Sequence, residues 1–267
     1  MNKKPLEKVL IITGPYLKDR FGVLKEVTSY FHNLKWHIFD EYLLNEKDYE
    51  NLNEIIKDYD LLITLGGDGS ILKVAQVAAL NEKLILGINY GGIGYLTSIK
   101  KDKLELLNKL DVGEYSVEDR TMLEVNVIKN NKEKEDRYLA LNDVVVIKSD
   151  INIPIKLEVN DNKDINTYFA DGLIVATPTG SSAYSYSAGG PLLNIDENKM
   201  VLTPICPVAR SSTYKIYDDD VTFSIKSCRE NRDKAFLSVD GSNAYTIYKE
   251  DLIKVKKAKY KTRIVKL

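Results

Sequence analysis

Histidine and cysteine are nearly missing from this sequence, with two of each. His32 and His37 both fall early in the chain, which argues against a His-based metal site or catalytic triad. Cys206 and Cys228 lack metal-ligand spacing and are too few for a disulfide framework. An excess of one charge is missing as well: 38 Lys and Arg stand against 39 Asp and Glu, for a formal net charge of −1. Nucleic-acid-binding proteins usually carry a basic excess, so no nucleic acid partner is expected. No apolar run approaches membrane-spanning length, and Met1-Asn2-Lys3-Lys4-Pro5 leads into a short strand without a signal-like apolar region. The expectation is a soluble cytoplasmic protein with no membrane partner. Neither G-x-x-x-x-G-K-[ST] nor G-x-G-x-x-G occurs, which excludes a P-loop and a Rossmann fingerprint. Ser70-Ile71-Leu72-Lys73 spells S-x-x-K, but no S-D-N or K-T-G accompanies it.

What the sequence does have is centred on Asp60-Leu61-Leu62-Ile63-Thr64-Leu65-Gly66-Gly67-Asp68-Gly69-Ser70. The run Leu61 to Leu65 suits a strand buried on both faces. From Ser70 the apolar residues Ile71, Val74, Ala75 and Ala78 recur at helical spacing, and Ser70 is placed to cap the first turn. Asp68 therefore sits between a strand's exit and a helix's start. Glycines there let backbone N–H groups approach an anion, and the helix N-terminus favours negative charge. A carboxylate at such a spot is unwelcome unless a metal or a proton transfer needs it. A plain tight turn remains the alternative for the tetrapeptide taken alone.

At 267 residues the chain has room for two modest domains. Its first part alternates buried strands (Lys8 to Thr13, Trp36 to Leu44, Leu61 to Leu65, Leu84 to Ile88) with helical stretches. Those stretches are the Phe21-Leu24-Val27-Phe31-Leu34 face, Tyr49 to Tyr59, the segment after Ser70, and Lys101 to Leu110. This alternation predicts a parallel, doubly wound sheet, whose ligands bind beyond the carboxyl ends of the strands. Both the Asp68 turn and the loop Asn89 to Thr97 lie at that edge. After Gly113 short strands alternate with polar turns: Leu123 to Ile128, a charged turn at Asn130 to Asp136, Tyr138 to Ile147, then Ile155 to Val159 and Ile165 to Phe169. Leu173 to Ala176, Val221 to Ile225, Ala235 to Val239 and Leu252 to Val255 follow. The expected architecture is an α/β domain over 1–114 and a β-rich, β-sandwich domain over 115–267, whose last residues pack back on the first.

Within the β half, Thr177-Pro178-Thr179-Gly180-Ser181-Ser182-Ala183-Tyr184-Ser185-Tyr186-Ser187-Ala188-Gly189-Gly190-Pro191 mixes small hydroxyl residues with two tyrosines. A flexible Ser/Gly loop is one reading. A nucleoside cradle is the better one: small residues admit a flat ring, tyrosine offers a stacking face, and hydroxyls reach base edges or ribose. Asn142-Asp143 interrupts an apolar strand with a donor-acceptor amide and a carboxylate that suit adenosine, although turns and sheet ends also carry such pairs. Asp240-Gly241 reads most simply as a hairpin turn.

Taken together, Gly66-Gly67-Asp68-Gly69, Asn89 to Thr97, Asn142-Asp143, Asp171-Gly172, Thr177 to Pro191 and Asp240-Gly241 resemble the NAD kinase family, in the family's order and over most of the chain. Gly-Gly-Asp-Gly is shared with phosphofructokinases and lipid kinases; the Thr-Pro-Thr-Gly-Ser segment after Asp-Gly is far more specific. The resemblance implies phosphorylation of the adenosine ribose 2′-hydroxyl of NAD to NADP, with ATP or another phosphoryl donor and Mg²⁺. It implies an N-terminal α/β domain, a C-terminal β-sandwich, a site between them, and self-association to a dimer or tetramer. It implies that Asp68 is the catalytic base and a ribose contact, that Gly69 lies beside the substrate, and that Lys73 faces phosphate. Asn142 and Asp143 are then adenosine contacts, and Asp171 reaches a nicotinamide-side group from a neighbouring subunit. Thr179, Ser182, Ala183, Tyr184 and Ser187 line the adenosine pocket. Three departures from the family stand out: Asp143 where Glu is common, Phe169 where many relatives have Arg, and Val208 where many have His.

Three competing functions stay open at this level. A phosphofructokinase-like sugar kinase or a lipid kinase shares the glycine turn, but neither gives Thr177 to Pro191 a role. A non-enzymatic NAD(H)-sensing module keeps the pocket and loses the base, whereas Asp68 is present.

Overall fold

The structure is a computed structural model that describes residues 6–14, 17–40, 46–92, 94–129, 135–150, 152–228 and 235–267. It forms two compact units, Met1–Arg120 with Tyr260–Leu267, and Thr121–Lys259.

The first unit contains β1 (Lys8–Thr13), α1 (Arg20–Thr28), β2 (Lys35–Asp40), α2 (Glu46–Ile55), β3 (Leu61–Gly66), α3 (Asp68–Leu80), β4 (Leu84–Asn89), the short β5 (Ile99–Lys100) and α4 (Asn108–Asp111). Its strands are parallel in the order β2-β1-β3-β4, and Arg263 and Ile264 run parallel beside Leu84 and Ile85. The near-continuous apolar strands are what a sheet covered on both faces requires. Val27 of α1 packs with Val9, Ile11, Leu61, Ile63, Leu86 and Ile88. Gly87 has the opposite parity, and a Cβ there would lie 2.5 Å from Ile71 Cδ1 of α3. So α1 covers one face and α3 the other, as the alternating pattern predicts.

Element ends differ from the sequence reading in places. α1 starts where the Asp19 carboxylate accepts from Gly22 N (3.2 Å) and stops at Thr28, so Phe31 and Leu34 pack from beyond the helix. Phe21 is 83% exposed and belongs to no core face. Lys101 to Leu110 is a 3₁₀ turn (Leu104–Leu107) running into α4. The second helix starts and ends earlier than expected, at Glu46 and Ile55, with a 3₁₀ turn over Ile56–Asp58. Residues 41–44 of the expected second strand, and most of the charged turn from Asn130, lie outside the described residues.

The second unit contains β6 (Ser116–Ile128) from Thr121 on, β7 (Glu135–Ala140), β8 (Asp143–Lys148), β9 (Ile155–Asn160), β10 (Ile165–Ala170), β11 (Gly172–Ala176) and the one-turn helix α5 (Tyr184–Ser187). It closes with β12 (Lys199–Ile205), β13 (Lys215–Asp218), β14 (Phe223–Ser227), β15 (Ala235–Val239), β16 (Ser242–Ile247) and β17 (Leu252–Lys266) as far as Lys259. One antiparallel layer runs β10-β9-β14-β17, with β6 and β7 pairing as a hairpin; the other runs β13-β12-β11-β8-β15-β16. Leu157, Val159, Phe223, Ile225 and Val255 from the first layer share a core with Val144, Val146, Leu173, Val175 and Leu202 from the second. That is a β-sandwich. The expected single strand Tyr138 to Ile147 is two strands, because the chain turns at Leu141-Asn142 and changes layers. β12, β13 and β16 have no counterpart in the sequence reading; Pro204 inside β12 masks it, since proline ordinarily demotes a strand.

Candidate active site

β3 delivers Gly66 to the sheet's carboxyl edge, and α3 begins at Asp68 with Gly67 as its cap. The helix thus starts two residues earlier than the spacing predicts. Ser70 does not cap it: Ser70 lies within the first turn, its N–H donating to Gly67 O at 3.1 Å. Gly66 is glycine because a Cβ there would come within 2.3 Å of Ser70 Oγ. At Gly67 and Gly69 a Cβ would meet nothing within 4 Å, so these two leave open backbone rather than relieve a clash.

The Asp68 carboxylate is engaged by the loop after β4. Oδ2 accepts from Tyr95 N (2.8 Å), and Oδ1 accepts from Leu96 N (3.0 Å) and Thr97 N (3.3 Å). A carboxylate has roughly four lone-pair positions, so about one remains for a further donor. Asn89 shapes the same loop, donating Nδ2 to Gly92 O and accepting Gly91 N at Oδ1, both at 2.8 Å. Beside this turn a cavity of about 540 Å³ is lined by Gly14, Gly66, Gly67, Ser70, Tyr90, Gly91, Lys18 and Lys101, among others. It lies at the carboxyl ends of β1, β3 and β4, where doubly wound sheets hold ligands. The Tyr90 hydroxyl is buried without a hydrogen-bond partner among the described residues, and burial pushes its pKa to about 12, so it remains a proton donor. Tyr90 belongs to the loop Asn89 to Thr97 that the sequence marks out, whereas Lys18 and Lys101 carry no sequence signal as site residues. Lys73 is exposed on α3, five residues beyond Asp68 and so about 140° round the helix from it.

In the second unit, Leu141 and Asn142 form the turn into β8, whose first residue is Asp143. Thr177 grips that turn, donating its N–H to Asn142 O (2.9 Å) and its Oγ1 to Leu141 O (2.6 Å). Gly180 closes on it so tightly that a Cβ would sit 2.0 Å from Asn142 O. Further along, Ser181 Oγ donates to Pro178 O (2.7 Å), and Ser185 Oγ meets Thr203 Oγ1 (2.9 Å). The segment Thr177 to Pro191 is therefore a strapped structure, not a flexible loop. Its residues divide: Pro178, Gly180, Ser181 and Ser185 are buried, whereas Thr179, Ser182, Ala183, Tyr184 and Ser187 keep exposed surface. The charges of Cys206, Asp143 and Asp171 all bear on the Tyr184 hydroxyl, after burial itself, in raising its pKa. Asp171 is held by Lys148 Nζ at 2.7 Å, a partner the sequence did not point to. Phe169 and Val208 are neighbours, Val208 N donating to Phe169 O at 2.8 Å, and both side chains are exposed.

Asp240 is the residue that sequence reasoning underrated. It starts the β15–β16 hairpin turn, and its carboxylate reaches back to the Asn142 turn. Burial pushes Asp143 up to about 7, with the Asp240 carboxylate adding to it, and burial pushes Asp240 up to about 6. Both folded values exceed the ordinary 3.8, so the folded chain holds protons that the unfolded chain releases. The associated stability is fully present below about pH 4 and is lost as pH rises toward 7. An Asp143→Asn variant lacks the part of this loss that Asp143 contributes. The melting temperature of the variant relative to the parent should therefore rise between pH 4.5 and pH 7.5; a difference independent of pH would contradict the buried-acid assignment.

Residues 20–115 match the ATP-NAD kinase N-terminal domain, and residues 141–267 match the ATP-NAD kinase C-terminal domain. The chain is 42% identical over 225 residues to the NAD kinase of Caldanaerobacter subterraneus subsp. tengcongensis, covering 83% of this chain and 78% of that protein. It is 37% identical over 262 residues to the NAD kinase of Carboxydothermus hydrogenoformans, covering 95% and 90%. Among solved structures, yeast NADH kinase complexed with NADH superposes with a TM-score of 0.85 at 23% identity, over 99% of this chain and 84% of that one. An Archaeoglobus fulgidus NAD kinase in complex with ATP gives 0.75 at 20% identity, over 96% and 92%. The fold is the one these kinases share. The chain belongs to the NAD kinase family, on the strength of its identity to the curated relatives. Among the described residues no helix is long and apolar enough to cross a membrane.

Proposed function

We propose that this protein transfers a phosphoryl group from ATP or another donor to the adenosine ribose 2′-hydroxyl of NAD, forming NADP. The observation that carries the chemistry is Asp68 at the first residue of α3, with part of its carboxylate still uncommitted, in a turn whose Gly66, Gly67 and Ser70 line a cavity together with Lys18 and Lys101. Asp68 accepts the proton of the attacking hydroxyl, which needs only hydrogen-bond reach in the bound complex. The three loop N–H groups fix that carboxylate in place. Lys18, Lys101, the Tyr90 hydroxyl and the open glycine backbone at the start of α3 balance the donor's phosphate charge, with Gly69 beside the substrate and Lys73 approaching from the helix flank. Asn142 and Asp143 address the adenosine, whose ring lies against Ala183 and Tyr184, with Thr179, Ser182 and Ser187 supplying hydroxyls. Asp171 serves the nicotinamide side of a neighbouring subunit in a homo-oligomer.

Among the described residues no three His, Cys, Asp or Glu side chains gather as a metal cage. The residues present fit Mg²⁺ carried by the donor's phosphates, toward which Asp68 would offer its carboxylate; such an ion commonly keeps waters and binds few protein groups. When bound it neutralises charge on the transferred group. The relatives named NAD kinase support this reading, as do the solved kinases with NADH and with ATP. Incubating the pure protein with ATP, Mg²⁺ and NAD should yield NADP, detected by an NADP-specific dehydrogenase. Sugar phosphates and lipid vesicles should not serve as acceptors. No NADP from NAD under any of several donors would overturn the assignment.

A further inference from the structure

An Asp-Gly hairpin needs two residues that tolerate left-handed backbone, and Asp240 (φ 48°) and Gly241 (φ 78°) satisfy it. Asparagine serves that turn at least as well as aspartate, so the hairpin alone does not call for a carboxylate. The side chain has a different task. Its Oδ2 accepts from Leu141 N at 2.7 Å, and its Oδ1 accepts from Asn142 N at 2.7 Å and Asp143 N at 3.1 Å. Asp240 N returns a bond to Asp143 O at 3.0 Å. Three consecutive N–H groups thus converge on one carboxylate from nearly a hundred residues away in sequence.

From the other side Thr177 takes the carbonyls of Leu141 and Asn142, and Gly180 blocks retreat of the Asn142 backbone. The turn's backbone is fully committed in both directions. By contrast, the side chains of Asn142 and Asp143 hydrogen-bond to no described residue, which leaves their polar atoms for a ligand. Holding such atoms in place before binding is where affinity for a polar ligand comes from, because imperfectly paired polar groups weaken it.

We propose that Asp240 is a positioning residue: its carboxylate sets the Leu141–Asp143 turn and thereby the places from which Asn142 and Asp143 address the adenosine of NAD. This rests on the reading of those two residues as substrate contacts. Asp240 touches no substrate. An amide in its place keeps the left-handed turn but offers one oxygen and one NH₂, so a donor faces a donor on at least one of the three N–H groups.

The test compares Asp240→Asn with the parent and with Gly241→Ala, which strains the same hairpin while keeping the carboxylate. For each, NAD binding is titrated directly, KM is measured for NAD and for ATP, and thermal unfolding is followed without ligand. Asp240→Asn should weaken NAD binding about ten- to a hundredfold, leave the ATP KM within about threefold, and lower kcat at saturating NAD far less. Gly241→Ala should lose thermal stability yet bind NAD like the parent. Adding Asn142→Ala to Asp240→Asn should cost little beyond the worse single change, since both act through one contact. Should Asp240→Asn fail to fold, Asp240→Ser, which keeps one acceptor, carries the same comparison. Unchanged NAD affinity in a folded variant of a parent that makes NADP would overturn the positioning role and leave the proposed activity standing. A parent that neither binds NAD nor makes NADP would overturn both. Equal losses of NAD and ATP binding would reduce Asp240 to a general structural residue.

Discussion

Asp68→Asn should lower the turnover of NADP formation by about 10²–10⁴-fold at saturating NAD, the usual cost of removing a general base. The amide has the carboxylate's size but does not take up the proton of the attacking hydroxyl. The structure adds a second effect that the residue's position in sequence does not suggest. Tyr95, Leu96 and Thr97 all donate to this carboxylate, so the amide's NH₂ confronts at least one backbone N–H and the loop loosens. The melting temperature should accordingly fall by a few degrees, and NAD binding should weaken modestly. The two effects separate by readout: loosening a loop shows in the melting temperature and in binding, whereas the kinetic loss persists at saturating NAD and donor. A variant with near-parent kcat would remove Asp68 from the chemistry and leave it as the loop's anchor.

Gly180→Ala should be the most damaging single methyl group in the second unit. The added Cβ would stand 2.0 Å from Asn142 O, 2.3 Å from its carbonyl carbon and 2.7 Å from its Cα. All three are backbone atoms, and the same carbonyl is already bonded to Thr177 N, so nothing flexible is there to yield. Overpacking of this kind costs roughly 1–3 kcal/mol and occasionally more, or about 2–4 °C of melting temperature per kcal/mol in a chain of this size. Because the displaced group is the Asn142 turn, NAD affinity should fall along with stability, by about one to two decades. Gly92→Ala, where a Cβ would meet nothing within 4 Å, is the matched control and should melt like the parent. Normal NAD affinity in a folded Gly180→Ala protein would detach this segment from the adenosine site.

The parallel half was legible because its signals are local. Buried strands announce themselves as apolar runs, and a glycine turn between a strand and a helix is read without knowing what lies elsewhere. The sandwich half was legible as β-rich, yet β12, β13 and β16 were missed and β7 and β8 were fused, since alternation does not say which layer a strand joins. In Thr177 to Pro191 the small residues were noticed for a ligand's sake. Gly180 is small because the segment is pressed against Asn142, and Gly190 because it is pressed against Ser185 and Thr203. The Asp240-Gly241 hairpin was legible, but the task of the Asp240 carboxylate and the settings of Lys148, Lys18 and Lys101 were not, because each depends on residues distant in sequence.

The pairing of Arg263 and Ile264 with Leu84 and Ile85 also bears on the order in which the protein is made. On the ribosome the glycine turn, Asp68 and every strand from β1 to β4 emerge early, while the stretch that lines the outer edge at the start of β4 emerges long after. Ser98 Oγ waits likewise for its acceptor, the carbonyl of Val265. Until then the nascent first unit shows an unpaired row of N–H and C=O groups along Leu84 and Ile85, the kind of edge that recruits other chains. Its sheet is thus completed only after the whole sandwich has been translated, which makes the first unit, though first in sequence, the later of the two to be finished. A message truncated before codon 260 would yield the Asp68 turn on an open-edged sheet, the kind of product that chaperones and proteases remove.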